Sequence, residues 1–237
     1  MECSERGDDE LKYCYKYPRP SVTTDCVVFG FSEARLSVLL VRRGAEPFKD
    51  RWAFPGGFME IDESAEEGVR RELREETGLE CGRVRQFHAF TSPGRDPRGR
   101  VMTVAFYALV RPESVCGGDD AADARWFALD AVPALAFDHD EVLRTALVAL
   151  RRDAFFEPVG IDALSETFTM GEFRALCSAV GGSPAAGRRY VDHAVRLELL
   201  MPAEKEEELP RRDVVPRFRF NLARYTVLTH GGETLSL

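Results

Sequence analysis

Between Gly57 and Leu79 the chain places one glycine, five residues, Glu63, seven residues, and then Arg71-Glu72-Leu73-Arg74-Glu75-Glu76-Thr77-Gly78-Leu79. From Ser64 to Thr77 it is dense in Glu and Arg and has no proline, which predicts a helix. Ser64 suits the N-cap, Glu67 three residues on closes a capping box, and Gly78 falls where a C′ glycine ends a helix. A helix advances ~100° per residue, so Glu72, Glu75 and Glu76 share an arc of about 100°. Three carboxylates so close repel one another unless a cation sits among them. A hard divalent cation with oxygen ligands is the natural partner, and Mg²⁺ fits best.

Such a cation neutralises a diphosphate, polarises its phosphorus–oxygen bonds and can lower the pKa of a bound water. Arg71, at i+4 from Glu75, can hold that carboxylate in place. Gly57 lets the backbone turn close to the metal, and Glu63 enters from the loop side, where it could anchor loop to helix. A solvated, salt-bridged surface helix would account for the Glu and Arg content. It would not account for Gly57, Glu63, Arg71 and Gly78 at these spacings after a Phe54-Pro55-Gly56-Gly57 turn.

Around this helix the pattern is that of an α/β protein. Val22–Phe31 and Leu36–Val41 read as apolar strands joined by a turn at Ser32–Arg35. Arg51–Phe58 reads as a strand leading into a loop, and further strands are expected near Val84–Phe90, Met102–Val110 and Asp123–Phe127. His139–Arg152 carries Val142, Leu143, Ala146, Leu147 and Leu150 at helical spacing. Helices are expected at Thr169–Val180 and Ser183–Leu199, and Arg217–Leu228 reads as one or two strands. That order, helix, turn, helix and β-rich tail, is the order of a winged helix. The expected organisation is an arm over 1–16, an α/β domain over 17–154 and a winged helix over 155–237.

Hydrophobic content of 44% with 30% charged residues fits a soluble globular protein. The polar N-terminus lacks the basic start and apolar run of a signal peptide. No stretch approaches the ~18 apolar residues of a membrane span, so no membrane partner is expected. Cys3, Cys14, Cys26, Cys81, Cys116 and Cys177 are scattered, with no C-x-x-C pair, which reads as reduced thiols in a cytoplasmic protein. The net charge of −8 makes the whole-molecule field repel nucleic acid, so DNA contact requires a local basic patch.

The Gly57–Leu79 segment resembles the Nudix box, G-x5-E-x7-R-E-U-x-E-E-x-G-U with U aliphatic, at every defined position. The resemblance implies an α/β/α sandwich around a mixed sheet and hydrolysis of nucleoside diphosphates linked to another moiety, with Mg²⁺ or Mn²⁺. It implies that Glu72, Glu75 and Glu76, joined by the Gly57 carbonyl, hold the metal, with Arg71 and Glu63 in support. The stretches RWAFPGGF, SPGRDPRGR, GGDDAADARWF and AFDHDE resemble ADP-ribose-directed members, implying cleavage of ADP-ribose to AMP and ribose 5-phosphate. Arg95 and Arg98 then become candidate phosphate contacts, since arginine offers bidentate donors. Arg43 and Trp52 flank the catalytic loop as further candidates, Trp52 reading equally as core packing. Asp138, Asp140 or Glu141 could serve as general base, or be acids favoured by a helix dipole.

From about residue 155 the pieces FTMGEFRALCSAVGG, GRRYVDHAVRLELL and FRFNLARYTVL resemble the C-terminal winged helix of Nudix-related transcriptional regulators. There the second helix enters the DNA major groove, which implies Arg188, Arg189 and His193 as DNA contacts, double-stranded DNA as a partner and a homodimer. Asp192 in that helix and Glu204, Glu206, Glu207 and Glu208 in the wing oppose DNA, while Arg211, Arg212, Arg217 and Arg219 compensate. The intact box ranks hydrolysis first. The alternative is a regulator whose Nudix domain senses ADP-ribose or a sugar metabolite with little turnover.

Overall fold

The computed structural model describes residues 16–113, 115, 121–203 and 215–230. The expected arm up to residue 15, the acidic run Glu204–Glu208, Arg211, Arg212 and Cys3, Cys14 and Cys116 lie outside the described residues. Of the other cysteines, Cys26, Cys81 and Cys177 are free thiols, as expected.

A mixed seven-stranded sheet forms the first layer system. Its strands are β1 (Ser21–Ser32), β2 (Arg35–Arg43), β3 (Trp52–Ala53), β4 (Gly56–Phe58), β5 (Arg85–Phe90), β6 (Val101–Val110) and β7 (Ala121–Ala128). The order is β3-β2-β1-β6-β5, with β7 on β2 and β4 on β1. β1 runs parallel to β6 from Ser21↔Val101 to Gly30↔Val110 and antiparallel to β2. The β1–β2 turn is closed by Glu33 and Ala34 at φ 50° and 58°, the left-handed pair that matches strand twist in a tight hairpin.

Both faces of β1 are buried, so its sequence is apolar without alternation, as expected of a central strand. Val27 and Phe29 face one helix, α2 (His139–Asp153), through Val142, Ala146 and Leu150. Cys26 and Val28 face the other, α1 (Ala65–Thr77), through Val69 and Leu73. The fold is thus the expected α/β/α sandwich. α1 starts at the Ser64 N-cap with the reciprocal Glu67 capping box and stops at Gly78, φ 71°. The box contributes about 1 kcal/mol. Burying Val69 and Leu73 contributes about 1.5–3 kcal/mol each. Packing therefore docks the helix, and the caps set its ends.

The chain continues through β8 (Phe168–Thr169), α3 (Met170–Gly181), α4 (Pro184–Arg196), β9 (Leu200–Pro202), β10 (Arg217–Phe220) and α5 (Leu222–His230). β8, β10 and β9 form a second sheet in that order. The helix–helix–sheet succession follows expectation, with one correction. Only the start of the Arg217–Leu228 segment is strand. Asn221 Oδ1 accepts the Arg224 N–H at 3.1 Å and opens a helix where more strand was expected. α3 shares the α2 core through Leu176 and Val180, and Tyr190 on α4 donates to the Arg151 carbonyl at 3.0 Å. Among the described residues no helix is long and apolar enough to cross a membrane.

Candidate active site

Arg71 organises the acidic helix. Its guanidinium donates to both Glu63 oxygens at 3.0 and 2.8 Å, to Glu72 at 2.9 Å, to Glu75 at 3.0 Å and to the Phe58 carbonyl at 3.1 Å. Glu63 Oε1 also accepts the Glu60 N–H at 2.8 Å, tying the loop to the helix. The Arg71 contacts hold the Glu63 carboxyl below its usual range. Glu76 makes no bond to Arg71 and accepts the Gly56 N–H at 3.0 Å.

Among the described residues no three acidic, His or Cys side chains converge as a ready metal cluster. Arg71 engages Glu72 and Glu75, while the Gly56 amide engages Glu76. The donor set still fits a hard divalent cation. Glu72 and Glu76 both line a cleft of about 360 Å³. Burial raises the Glu72 carboxyl and pushes Glu76 up to about 8 despite the Gly56 hydrogen bond. Two half-buried carboxylates facing one cleft, of which Glu76 has no arginine partner among the described residues, suit an oxygen-preferring cation.

The helix–loop contact at Gly57 is close. A Cβ there would lie 2.3 Å from Glu72 Oε1. Gly57→Ala is expected to displace that carboxylate and lower hydrolysis by about tenfold to a hundredfold, because the group to be aligned has moved. The fold is expected to survive, since the clash is with a side-chain end. Thermal melting beside steady-state rates separates the two effects.

The remaining expected residues divide. Arg43, Arg95 and Arg98 line the cleft. Arg95 is buried and bidentate to Asp138 at 2.8 and 2.7 Å, so its charge is already matched. Arg98 is paired with buried Asp96 at 2.6 Å. Arg43 donates to the Pro47 carbonyl at 2.7 Å and makes no ion pair among the described residues. Trp52 lies outside the cleft lining and packs edge-on against Phe127 at 4.8 Å, the core-packing reading. Asp140 and Glu141 are exposed in the first turn of α2 and do not line the cleft, while Asp138 is held by Arg95.

Two residues the sequence reading left unassigned enter the cleft. Asp25 on β1 lies 3.8 Å from Arg95 and 3.7 Å from His139. A lone acid inside VTTDCVVF was the available signal, because a buried strand rarely carries an unpaired charge. His139 Nδ1 accepts the Phe54 N–H at 3.0 Å, and burial keeps the ring from protonating near its ordinary pH.

On α4, Arg188, Arg189, Asp192 and Arg196 are exposed. His193 requires a correction. It lies on the buried inner face, edge-on to Phe155 at 5.7 Å and Phe156 at 6.0 Å, with Arg196 at 2.9 Å from Nδ1. Its position three residues after buried Tyr190 puts it in the core stripe, away from any groove.

The NUDIX domain model matches residues 19–146. The ADP-ribose pyrophosphatase of Methanocaldococcus jannaschii is 40% identical over 135 residues, covering 57% of this chain and 78% of that protein. The ADPR responsive transcriptional repressor NtrR of Acinetobacter baylyi is 28% identical over 188 residues, covering 76% of this chain and 75% of that protein. Shewanella oneidensis NrtR, in complex with a 27mer DNA, matches with TM-score 0.68 and 27% identity over 86% of this chain and 95% of that one. The NUDIX domain of that protein, in complex with ADP ribose, matches with TM-score 0.53 and 32% identity over 56% and 90%. With the domain match spanning the seven-stranded sheet, the acidic helix at its cleft and the first half of α2, this chain belongs to the NUDIX family.

Proposed function

We propose that the protein hydrolyses the diphosphate of ADP-ribose or a related nucleoside diphosphate derivative. The observation that carries this is a single cleft lined by Glu72 and Glu76 and by the guanidiniums of Arg43 and Arg98. A diphosphate linked to two bulky groups needs both charges: carboxylates for a cation and arginines for the oxygens that cation does not reach. Glu72, Glu75 and Glu76, with the Gly57 carbonyl, would hold Mg²⁺, or Mn²⁺ in its place. When bound, the cation supplies charge neutralisation and Lewis-acid polarisation of a phosphorus–oxygen bond. Arg71 and Glu63 keep the helix and its loop in register. Arg43 and Arg98 orient the phosphates, and the buried Arg95–Asp138 pair stiffens the floor beneath them. A panel of nucleoside diphosphate derivatives incubated with Mg²⁺ tests this. AMP release from ADP-ribose is expected, and no turnover of any member contradicts it.

The exposed Arg188 and Arg189 on α4 support a second activity, double-stranded DNA binding in transcriptional regulation. It is in keeping with the likeness to a repressor and to a DNA-bound structure. The same reading makes the protein a cytoplasmic homodimer, which would present two α4 helices to a two-fold site. Replacing Arg188 and Arg189 together by alanine is expected to lower affinity for the upstream region of its own operon at all sequences alike. The dependence of log affinity on log salt should fall by about two. A gel shift over a salt series reads this, and an unchanged slope counts against α4 as the DNA element.

A further inference from the structure

At the mouth of the cleft stands Phe137, which lies in the AFDHDE stretch without any local signal of a role for its ring. Its backbone is left-handed at φ 54°, a region that residues with a Cβ rarely occupy. Its neighbours hold it there. Trp52 bridges to Leu135, and the Ala136 N–H donates to the Trp52 carbonyl at 2.8 Å. Asp138 is clamped by Arg95, and His139 by the Phe54 amide. Strain maintained by contacts on both sides points to a use for the side chain.

That side chain lies between cations. The Arg43 guanidinium sits 4.8 Å from the Phe137 ring centroid and the Arg98 guanidinium 5.7 Å from it, and Arg98 also covers Phe58 at 4.8 Å. Phe48, itself at φ 64°, closes edge-on against Phe137 at 4.8 Å. Two like charges share one ring, and among the described residues Arg98 has a carboxylate partner where Arg43 has none. The half-buried Arg43 is held by the Pro47 and Ala45 carbonyls, which leave its positive charge unneutralised, and the ring is shared with Arg98.

We propose that Phe137 is a positioning residue that holds Arg43 and Arg98 as one receptor for the diphosphate, and so sets affinity for diphosphate ligands without touching a phosphate itself. The ring's negative face attracts each guanidinium, and losing that support frees two long side chains that must then be ordered by the ligand. This rests on the proposed diphosphate function, and the test separates the two.

The probe is ADP, titrated by calorimetry into the full chain with Mg²⁺ present. Phe137→Met, which removes the ring at similar volume, is expected to weaken ADP binding about tenfold. KM for ADP-ribose should rise by about the same factor, with kcat within about twofold. Phe137→Tyr, which keeps the ring, is expected to bind ADP as the unaltered protein does. Should Phe137→Met fail to fold, Phe58→Met at its exposed position is expected to weaken ADP binding about threefold. Equal ADP affinity in the Met and Tyr variants, or no ADP binding by the unaltered protein, overturns the proposal. ADP binding without ADP-ribose hydrolysis contradicts the proposed function and leaves the receptor standing.

Discussion

Glu76→Gln is expected to lower ADP-ribose hydrolysis by about two orders of magnitude or more while leaving the protein folded. The glutamine keeps an oxygen for the Gly56 amide, which now anchors Glu76 at 3.0 Å, and removes the negative charge the cation needs. The variant also has a signature without substrate. In metal-free protein burial pushes the Glu76 carboxyl up to about 8, against an ordinary value of 4.5. Between those values the folded protein keeps a proton that the unfolded chain has released. Stability from this group is therefore full below pH 4.5 and is lost as pH rises through about 8. Glutamine has no such titration, so the chelated variant should show a flatter decline over that window. Saturating Mg²⁺ should flatten the unaltered protein in the same way. Melting curves from pH 5 to 9 check this, and identical profiles for both proteins in chelator would contradict the burial argument.

Arg71→Met is the second large effect, and it reaches stability as well as rate. One guanidinium satisfies Glu63, Glu72 and Glu75, with an Arg71 side chain only 20% exposed and Glu63 at 11%. Methionine keeps much of the volume and leaves three carboxylates facing one another. Breaking a buried pair on one side costs about 3–5 kcal/mol. Partial exposure here brings the expected loss to about 2–3 kcal/mol. That exceeds the roughly 1 kcal/mol expected for losing the Ser64 cap. Hydrolysis is expected to fall by at least about a hundredfold, because Glu63 no longer ties the Gly57 loop to the helix. Arg71→Lys should rescue little, since an ammonium cannot reproduce the forked contacts. Denaturant unfolding together with rates is the measurement, and near-normal stability in the methionine variant would contradict the role given to this network.

What could be read from the sequence was what is encoded locally. The capping box at Ser64 and Glu67, the stop at Gly78 and the Glu72–Glu75–Glu76 arc all depend on neighbours within one or two turns. The strands of the sandwich were legible for the same reason, since both faces of β1 are covered and it reads as a continuous apolar run. The cleft mouth was legible only in part: Arg43 and Arg98 stood out as candidates, but their assembly around Phe58 and Phe137 did not. Arg43, Phe58, Arg98 and Phe137 come from four loops and strand ends, brought together by the β1–β6 pairing and by the return of the chain before α2. No periodicity links them. Two misreadings had signals that were outweighed. Aromatic and β-branched composition in RFRFNLARYTVL hid the Asn221 cap that starts α5. The arginines beside His193 drew it to the outer face, although the spacing from Tyr190 places it inside.

The claim that joins these results is that one cleft, with its acidic helix and a divalent cation, cleaves a diphosphate. Its most direct test is a time course of ADP-ribose with the full chain, in Mg²⁺ and in chelator, with products separated by chromatography. AMP and ribose 5-phosphate in equal amounts are expected with Mg²⁺, and intact ADP-ribose in chelator. Intact ADP-ribose under both conditions, or equal turnover in both, would contradict the claim.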